Sequence, residues 1–244
     1  MAKKLYVRHS KAEDEKAVFD FYTGNPHNFV AKRDRDLWKE RIASGAVTII
    51  EDDKGKIMAA AITYPVTKKN AAGEDVHAWS EIGSVRVALD GVGLFKPLLS
   101  ALVTRAFLLE PPEDRFAIEI VNGNDHSKHV FEKEGAVPFN APKALLDKVA
   151  GTMAPDDTTS KDMNWFQLSI ESMPHLAQNM LDCIKNPKLV NKKTGEEYEL
   201  DFSKSVVVSF FKPALEKIAG NNYGDAKKPD MSQGLKKHRN RLGP

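Results

Sequence analysis

The spacing of apolar residues changes along the chain, and these changes predict where strands give way to helices. Residues 5–8 alternate between apolar and polar positions, which predicts a short first strand. Ser10, with Glu13 three positions later, has the spacing of a capping box for a helix that stops at the break 24–26. A second amphipathic helix is predicted over 33–43.

The next part of the pattern predicts most of a sheet. Residues 46–50 and 57–64 are apolar runs joined by the turn 52–56, which predicts a hairpin. Three more strands then alternate with two helices. The strands are predicted at 77–87, 116–121 and 165–170, and the helices at 94–109 and 126–134. This alternation predicts an α+β or α/β sheet that contains a parallel pair.

Beyond this body, 1–170, the chain continues as a C-terminal extension, 171–219. Helices are predicted at 173–184 and 205–219, with a short strand near Tyr198 between them. Their apolar residues are more than a solvated segment keeps exposed, so they cover either the body's own sheet or a partner. We expect a body that folds alone and an extension that contacts another protein chain.

The last residues, 220–244, differ in composition from the rest of the chain. They hold six lysine or arginine residues, two aspartates and few large apolar residues. Such a segment buries too little surface to offset its ordering entropy. We expect either a solvated tail or a basic arm, and nucleic acid is a partner only through that arm.

Composition excludes several classes of protein. Hydrophobic residues make up 41% of the 244 and charged residues 29%, which is ordinary for a soluble globular chain. The net charge of +2 is too near neutral for nucleic-acid binding by the whole chain. No apolar run reaches membrane-spanning length, and the N-terminus lacks a secretory pattern, so we expect a cytoplasmic protein that does not enter membranes.

The residue types that bind metals are sparse. Cys183 is the only cysteine, so we expect neither a disulfide framework nor a multi-cysteine zinc site. His126 and His129 lie three apart on one predicted helix, but no third ligand accompanies them. They are expected on a solvated helix face, and no metal site is predicted.

The clearest chemical pattern is Gly91-Val92-Gly93, between a predicted strand and a predicted helix. Glycines at such a point let backbone N–H groups approach a phosphate, and the helix N-terminus adds its dipole. No Gly-Lys-Ser/Thr follows, which excludes a Walker loop, and the third glycine of a dinucleotide fingerprint is missing. A plain tight turn is the alternative interpretation.

Three segments together resemble the GNAT superfamily of acyl-CoA-dependent N-acyltransferases. Residues 90–99, Asp-Gly-Val-Gly-Leu-Phe-Lys-Pro-Leu-Leu, are similar to the family's phosphate loop, Arg/Gln-x-x-Gly-x-Gly/Ala, and the helix behind it. Residues 124–135, which begin with Asn and end in Phe-Glu-Lys-Glu-Gly, are similar to its Asn-x-x-Ala-x-x-Leu-Tyr-Glu-Lys-x-Gly helix. Residues 7–14 are close to its opening strand and helix, and the resemblance covers about 4–170.

The resemblance implies an α/β fold of GNAT type, with a mixed central sheet flanked by helices, to which this chain adds a C-terminal extension. It also implies that acetyl-CoA binds in a V-shaped opening between two splayed parallel strands. It implies that the backbone from Val85 to Val87 pairs with the pantetheine arm and that Asn124 lies beside the thioester. It assigns the pyrophosphate to the N–H groups of Gly91, Val92, Gly93, Leu94 and Phe95. The implied reaction is direct transfer of an acetyl group to an amine, whose identity the sequence does not give.

Three positions depart from the family pattern. Asp90 puts a negative charge where the family has Arg or Gln, and Phe95 occupies the place of the final Gly or Ala. At about 5 Å and an effective dielectric near 20, the repulsion from Asp90 is of order 3 kcal/mol per phosphate charge before screening. Phe131 stands where many members have the tyrosine that protonates the departing thiolate, and losing a general acid costs roughly 10²–10⁴ in rate.

The reaction also needs a general base, because an ammonium acceptor must lose a proton before it attacks. Glu81 is the first candidate: on an alternating strand it shares a face with Trp79 and Val85, and an apolar neighbour raises a carboxyl pKa. Glu119, a lone carboxylate in an apolar strand, is the second. Each also has a structural explanation, as a solvent-facing glutamate or as the partner of a helix cation.

Two hypotheses of different class therefore stand. The first is an acetyl-CoA-dependent N-acetyltransferase, which Gly91, Gly93 and Asn124 favour. The second is a GNAT-fold subunit whose cofactor site has decayed and which serves in a larger assembly, such as a phage or another mobile element builds. The three departures from the family pattern favour the second.

Overall fold

A computed structural model describes residues 2–24, 33–154 and 163–220. Its strands are β1 (Lys3–His9), β2 (Val47–Asp52), β3 (Ile57–Lys69), β4 (Asp75–Val87), β5 (Arg115–Val121), β6 (Val137–Pro138), β7 (Met163–Leu168), β8 (Lys188–Val190) and β9 (Glu197–Asp201). Its helices are α1 (Glu15–Thr23), α2 (Arg35–Ala43), α3 (Phe95–Leu109), α4 (Asp125–Lys133), α5 (Lys143–Ala150), α6 (Met173–Lys185) and α7 (Val206–Ala219). The basic tail predicted after Gly220 lies outside the described residues.

The strands form one mixed sheet in the order β6-β7-β5-β4-β3-β2-β1-β9-β8. Strands β1 to β4 are antiparallel neighbours, and β7 lies antiparallel between β5 and β6. Strands β4 and β5 run parallel, because α3 carries the chain back between them. The predicted fold class is thus confirmed: a mixed α/β sheet with a parallel pair, as the resemblance implies.

The start of α1 differs from the prediction. Ser10 is buried, and its hydroxyl donates to the carbonyl of Ile42 at 2.8 Å instead of capping a helix. A 3₁₀ turn over Ala12–Asp14 comes first, and the carboxylate of Asp14 accepts the N–H of Lys11 at 2.7 Å. The predicted capping box is wrong because α2 packs against Ser10 and takes its hydroxyl.

Three short elements have no counterpart in the predicted pattern: β6, β8 and α5. Strand β6 has two residues and β8 has three, too few for any alternation to be visible. Helix α5 follows Pro142 and buries Leu145 and Val149 in a cluster with Trp79 and Ala117. It therefore covers the sheet near the parallel pair.

The extension packs on the body and does not stand apart from it. Strand β9 pairs in parallel with β1, so the extension adds two strands to the sheet edge. Leu176 of α6, Leu200 of β9 and Leu215 of α7 are buried in the same cluster as Leu98 of α3. The apolar residues of the extension thus cover the body's own elements, so the core does not end at residue 170, and this packing argues against the expected body that folds alone. Contact of the extension with another chain stays a prediction.

Ending the chain at residue 170 is expected to abolish cooperative unfolding. Each buried leucine, valine or methionine side chain contributes about 1.5–3 kcal/mol, and a whole domain is stable by only about 5–15 kcal/mol. The free energy lost with the buried side chains of α6, β9 and α7 therefore exceeds the free energy of unfolding of a whole domain. Thermal melts followed by circular dichroism compare chains ending at 170, 220 and 244.

The chain ending at 220 serves as the control, since it keeps every described element. It is expected to have the same melting temperature as the full chain. A chain of 1–170 that melts cooperatively within a few degrees of the full chain would contradict the shared core.

Candidate functional site

The parallel strands β4 and β5 separate after four residue pairs. Their pairing runs from Trp79 opposite Arg115 to Ile82 opposite Ile118. Beyond this point β4 stays paired with β3, and β5 stays paired with β7. A gap therefore opens between the two strands, and a cavity of about 50 Å³ lies in it, with room for a few water molecules.

The cavity is lined by main chain and by a small set of polar side chains. Strand β4 contributes 82–85 and β5 contributes 119–121, while Asn124 and Phe131 line it from the α4 side. Asn124 also caps α4, because its side-chain oxygen accepts the N–H of Ser127 at 3.1 Å. The structure thus places Asn124, Val85 and Glu119 around one opening, and their roles in binding or catalysis stay predictions.

A bulge in β4 lies where the strands part. The register between β3 and β4 shifts between Ala60 and Ile62, and Ser84 adopts a φ of +50°. Such a backbone is costly for a residue other than glycine. The hydroxyl of Tyr22 supports it by donating to the Ser84 carbonyl at 2.5 Å, and the Tyr64 hydroxyl lies 3.4 Å from Ser84 Oγ.

Because of this bulge, Glu81 does not share a face of β4 with Val85, although the sequence predicts that it does. Val85 packs with the α3 cluster, whereas Glu81 contacts Arg33, which lies over the ring of Tyr64. Glu81 and Val85 therefore do not share a face, because the extra residue of a bulge reverses the alternation beyond it. Gly83 lies between them, and a Cβ there would come within 2.9 Å of Glu81 Oε1.

The two candidate bases meet at one buried arginine, Arg33. Its Nη2 donates to Glu81 Oε1 in a close contact and lies 3.3 Å from Glu119 Oε1, and its Nη1 donates to Thr152 Oγ1 at 2.5 Å. The guanidinium centre lies 4.9 Å from the ring centre of Tyr64. No pattern in the sequence pointed to Arg33, which is 48 residues from Glu81.

The carboxylates differ in their access to the cavity. Glu119 lines it, whereas Glu81 is fully buried and contacts the cavity-lining Arg33. Burial raises the pKa of Glu81, although the charge of Arg33 acts against this. Among the described residues, Glu81 Oε2 and Arg33 Nε have no hydrogen-bond partner. The raised pKa agrees in direction with the prediction, but its cause is burial, and the role of either carboxylate as a base stays a prediction.

The glycine loop before α3 is anchored on one side and open on the other. Gly91 and Gly93 have φ of +79° and +82°, which L side chains rarely adopt. Val92 and Leu94 are buried in the apolar core. Among the described residues, a Cβ on Gly93 would meet no atom within 4 Å, so this part of the chain leaves the loop open there. Its binding of a phosphate stays a prediction.

The departures from the family pattern have structural partners. The Asp90 carboxylate lies 3.6 Å from Lys193 Nζ of the extension, and both side chains are largely exposed. An exposed pair of this kind contributes at most about 1 kcal/mol, yet it places a cation beside the unfavourable charge. The rings of Phe95 and Phe131 meet edge to face with centres 5.0 Å apart, which links α3 to α4 beside the cavity.

His126 and His129 are exposed on α4. The described part of the chain holds no group of three or more His, Cys, Asp or Glu residues that could bind a metal ion. None of its helices is both long and apolar enough to cross a membrane.

The comparisons with known proteins return structures alone. No family model and no curated protein matches the chain. A GNAT-family acetyltransferase from Streptococcus pneumoniae is similar at 12% identity and a TM-score of 0.48, over 68% of this chain and 99% of that one. A ribosomal-protein-alanine N-acetyltransferase from Brucella melitensis is similar at 20% identity and 0.47, over 67% and 98%.

A third similar structure is a GNAT-superfamily phosphinothricin acetyltransferase from Sinorhizobium meliloti in complex with acetyl-CoA. It is 19% identical with a TM-score of 0.48, over 69% of this chain and 89% of that one. Likeness at these identities concerns the fold, and at these TM-scores it carries no conclusion about cofactor or substrate.

Arg33→Ala is expected to destabilise the fold by about 3–5 kcal/mol at neutral pH, because it leaves a buried carboxylate without its cation. Burial already holds the pKa of Glu81 above its ordinary value, so the folded state binds a proton more tightly than the unfolded state. The free energy lost should therefore shrink as the pH falls toward about 5. Urea unfolding at both pH values measures the change.

The double variant Arg33→Ala with Glu81→Gln is the control, since it removes the charge that Arg33 leaves behind. It is expected to recover much of the loss at neutral pH. An equal loss at both pH values, with no recovery in the double variant, would show that Arg33 acts through packing alone.

Proposed function

We propose that the chain binds an acyl-CoA in the gap between β4 and β5 and transfers its acetyl group to an amine. The observation that carries this proposal is the parting of a parallel strand pair directly before a loop with two left-handed glycines. Ligands of open α/β sheets bind outside the carboxyl ends of parallel strands. The gap, the loop and the N-terminus of α3 share that end of the sheet.

The residues of the gap fit the proposed cofactor. The β4 edge from Gly83 to Val87 has no β5 residue opposite it, so its main chain is available to an extended, amide-containing arm. The open space at Gly93 admits a pyrophosphate close to backbone N–H groups. The first turn of α3 adds N–H donors without partners in the helix. Acetyl-CoA, when bound there, supplies an activated acyl group.

The side chains around the gap give the rest of the mechanism. We assign the base to Glu119, because it lines the cavity and its side chain is only 7% exposed. Its carboxylate would take a proton from an ammonium acceptor and leave the neutral amine to attack. Arg33 holds Glu119 from one side and Glu81 from the other, so that the charge of Glu81 is already paired. The acceptor amine is not specified by these residues.

A second proposal rests on Phe131. This side chain is buried against Phe95 and brings no hydroxyl to the cavity, so the chain lacks the family's general acid at that position. Under this proposal the chain is a GNAT-fold subunit of a larger assembly, and its gap binds no acyl-CoA. The two proposals differ in one measurable quantity, the affinity for acetyl-CoA.

Acetyl-CoA is expected to raise the melting temperature of the wild-type chain, because it binds the folded state alone. At one hundred times the Kd the stabilisation is about 2.7 kcal/mol, or roughly 5–10 °C for a domain of this size. Gly93→Asp should remove the shift by placing charge and bulk at the open side of the loop. Differential scanning fluorimetry measures it.

Gly73→Asp is the matched control. Gly73 has a φ of +81° and open space at its Cβ, as Gly93 has, but it lies in the turn between β3 and β4. Both variants carry the same backbone strain, so their own melting temperatures should fall alike while the acetyl-CoA shift survives in Gly73→Asp. No shift in the wild type at millimolar acetyl-CoA would favour the assembly subunit.

Phe131→Tyr is expected to raise the turnover of acetyl-CoA by roughly tenfold or more. A general acid contributes about 10²–10⁴ in rate, and position 131 lines the cavity. Phe131→Leu is the control, because it changes the packing without adding a hydroxyl. Release of CoA thiol, followed with a panel of amines, measures the rate. Equal rates for the tyrosine and leucine variants would exclude a general acid at this position.

A further inference from the structure

We propose that the turn between β8 and β9 positions the glycine loop for a pyrophosphate, with Asn191 as the positioning residue. The inference rests on the proposed function, because the pyrophosphate is that of the acyl-CoA. It gives the extension a role in cofactor binding, which neither the resemblance nor the similar structures assign. The resemblance ends before the extension begins.

Two hydrogen bonds join the turn to the loop. The Asn191 side-chain amide donates to the carbonyl of Asp90 at 3.0 Å, and the N–H of Lys192 donates to the carbonyl of Gly91 at 3.0 Å. Asn191 is only 5% exposed, so its amide is held in place by its surroundings. The turn thus donates hydrogen bonds to two consecutive carbonyl groups of the loop.

These two bonds fix the direction of the loop's N–H groups. In a planar trans peptide, the carbonyl of one residue and the N–H of the next point in opposite directions. The described residues contain no cis peptide. Because the carbonyls of Asp90 and Gly91 point toward the turn, the N–H groups of Gly91 and Val92 point away from it. The loop therefore presents consecutive donors on the side opposite to the extension, as an anion site requires.

The turn is rigid enough to impose this direction. The Asn191 side-chain oxygen accepts the N–H groups of Lys193 and Thr194 at 2.8 and 3.2 Å, which closes an Asx turn. One side chain therefore ties the turn to itself and to the loop. Strand β9, after the turn, is paired with β1 and buries Tyr198. The turn is thus attached to the central sheet.

The contact also explains the glycine at position 91. A Cβ there would lie 2.9 Å from Asn191 Oδ1 and 3.4 Å from Lys193 Cγ, so any side chain would push the turn away. Gly93 has no such neighbour in the part of the chain that the structure describes. The first glycine is needed for contact with the extension, and the second leaves the outer side of the loop open. The two glycines therefore have different roles.

Asn191→Ser tests the proposal. Serine keeps a side-chain oxygen for the turn, but it has no side-chain amide to donate a hydrogen bond to the Asp90 carbonyl. Calorimetric titration compares acetyl-CoA with S-acetylpantetheine, which lacks the pyrophosphate. The variant is expected to bind acetyl-CoA roughly tenfold more weakly, the size of one lost neutral hydrogen bond, and to bind S-acetylpantetheine as the wild type does. A purely structural role would weaken both ligands alike.

Asn70→Ser is the matched control. The Asn70 side-chain oxygen accepts the N–H groups of Ala72 and Glu74 at 2.9 and 3.0 Å in the turn between β3 and β4, so it closes a similar turn without touching the loop. This variant is expected to bind both ligands as the wild type does. If Asn191→Ser does not fold, Lys192→Pro removes the second bond, that to the Gly91 carbonyl, and is measured instead.

Hydrogen exchange in the free protein gives a readout that does not depend on the cofactor. The amides of 91–95 are expected to exchange faster in Asn191→Ser than in Asn70→Ser. Suppose that the wild type binds acetyl-CoA but Asn191→Ser shows unchanged exchange or an unchanged acetyl-CoA affinity. This result overturns the positioning role and leaves the proposed function intact. A wild type that binds neither ligand overturns both.

Discussion

The ladder between β4 and β5 ends after Ile82 and Ile118, and the functional interpretation of the whole chain depends on this interruption. Backbone groups that lose a partner inside a sheet must find another, since leaving them unpaired costs about as much as a broken hydrogen bond. Strands β3 and β7 keep the outer edges of the two strands satisfied. The inner edges face the cavity, where water or a ligand can pair with their backbone groups. The bulge at Ser84, supported by two tyrosine hydroxyls, lies where they do so.

A buried charge system borders the opening. Arg33 is 1% exposed and lies against Glu81, Glu119 and the ring of Tyr64. Such a system is costly to build, and it is stable only while every charge keeps its partner. Arg33 pairs with both carboxylates, of which Glu119 lines the cavity and Glu81 does not. The opening is therefore polar on this side and apolar toward Phe95 and Phe131.

The sequence predicts the regular elements well, because long amphipathic or alternating segments carry their own signal. The hairpin of β2 and β3, the helix α3 and the glycine loop before it all lie within a few residues of their predicted positions. The resemblance to one family then supplied the pairing of β4 with β5. Asn124 and Val85 lie at the cavity because their positions follow from that pairing.

What the sequence could not predict depends on contacts between distant residues. Arg33 is paired with Glu81 across 48 positions, and nothing local distinguishes it from the other arginines. The bulge at Ser84 reverses the alternation of β4, so that the face predicted for Glu81 was wrong. The capping role of Ser10 failed because α2 takes its hydroxyl. The place of the extension depends on which surface its apolar residues reach. The sequence pattern predicts that these residues are buried, but it does not show which surface they are buried against.

The gap between β4 and β5, together with the glycine loop, is the site proposed here for acyl-CoA. Its occupancy can be followed in a titration of isotope-labelled protein with CoA, monitored by amide chemical shifts. Binding at this site should give saturable shifts confined to the amides of 83–95 and 119–127, at the two strand ends, the loop and the start of α4. Shifts that do not saturate at millimolar CoA, or that lie on other elements, would contradict it.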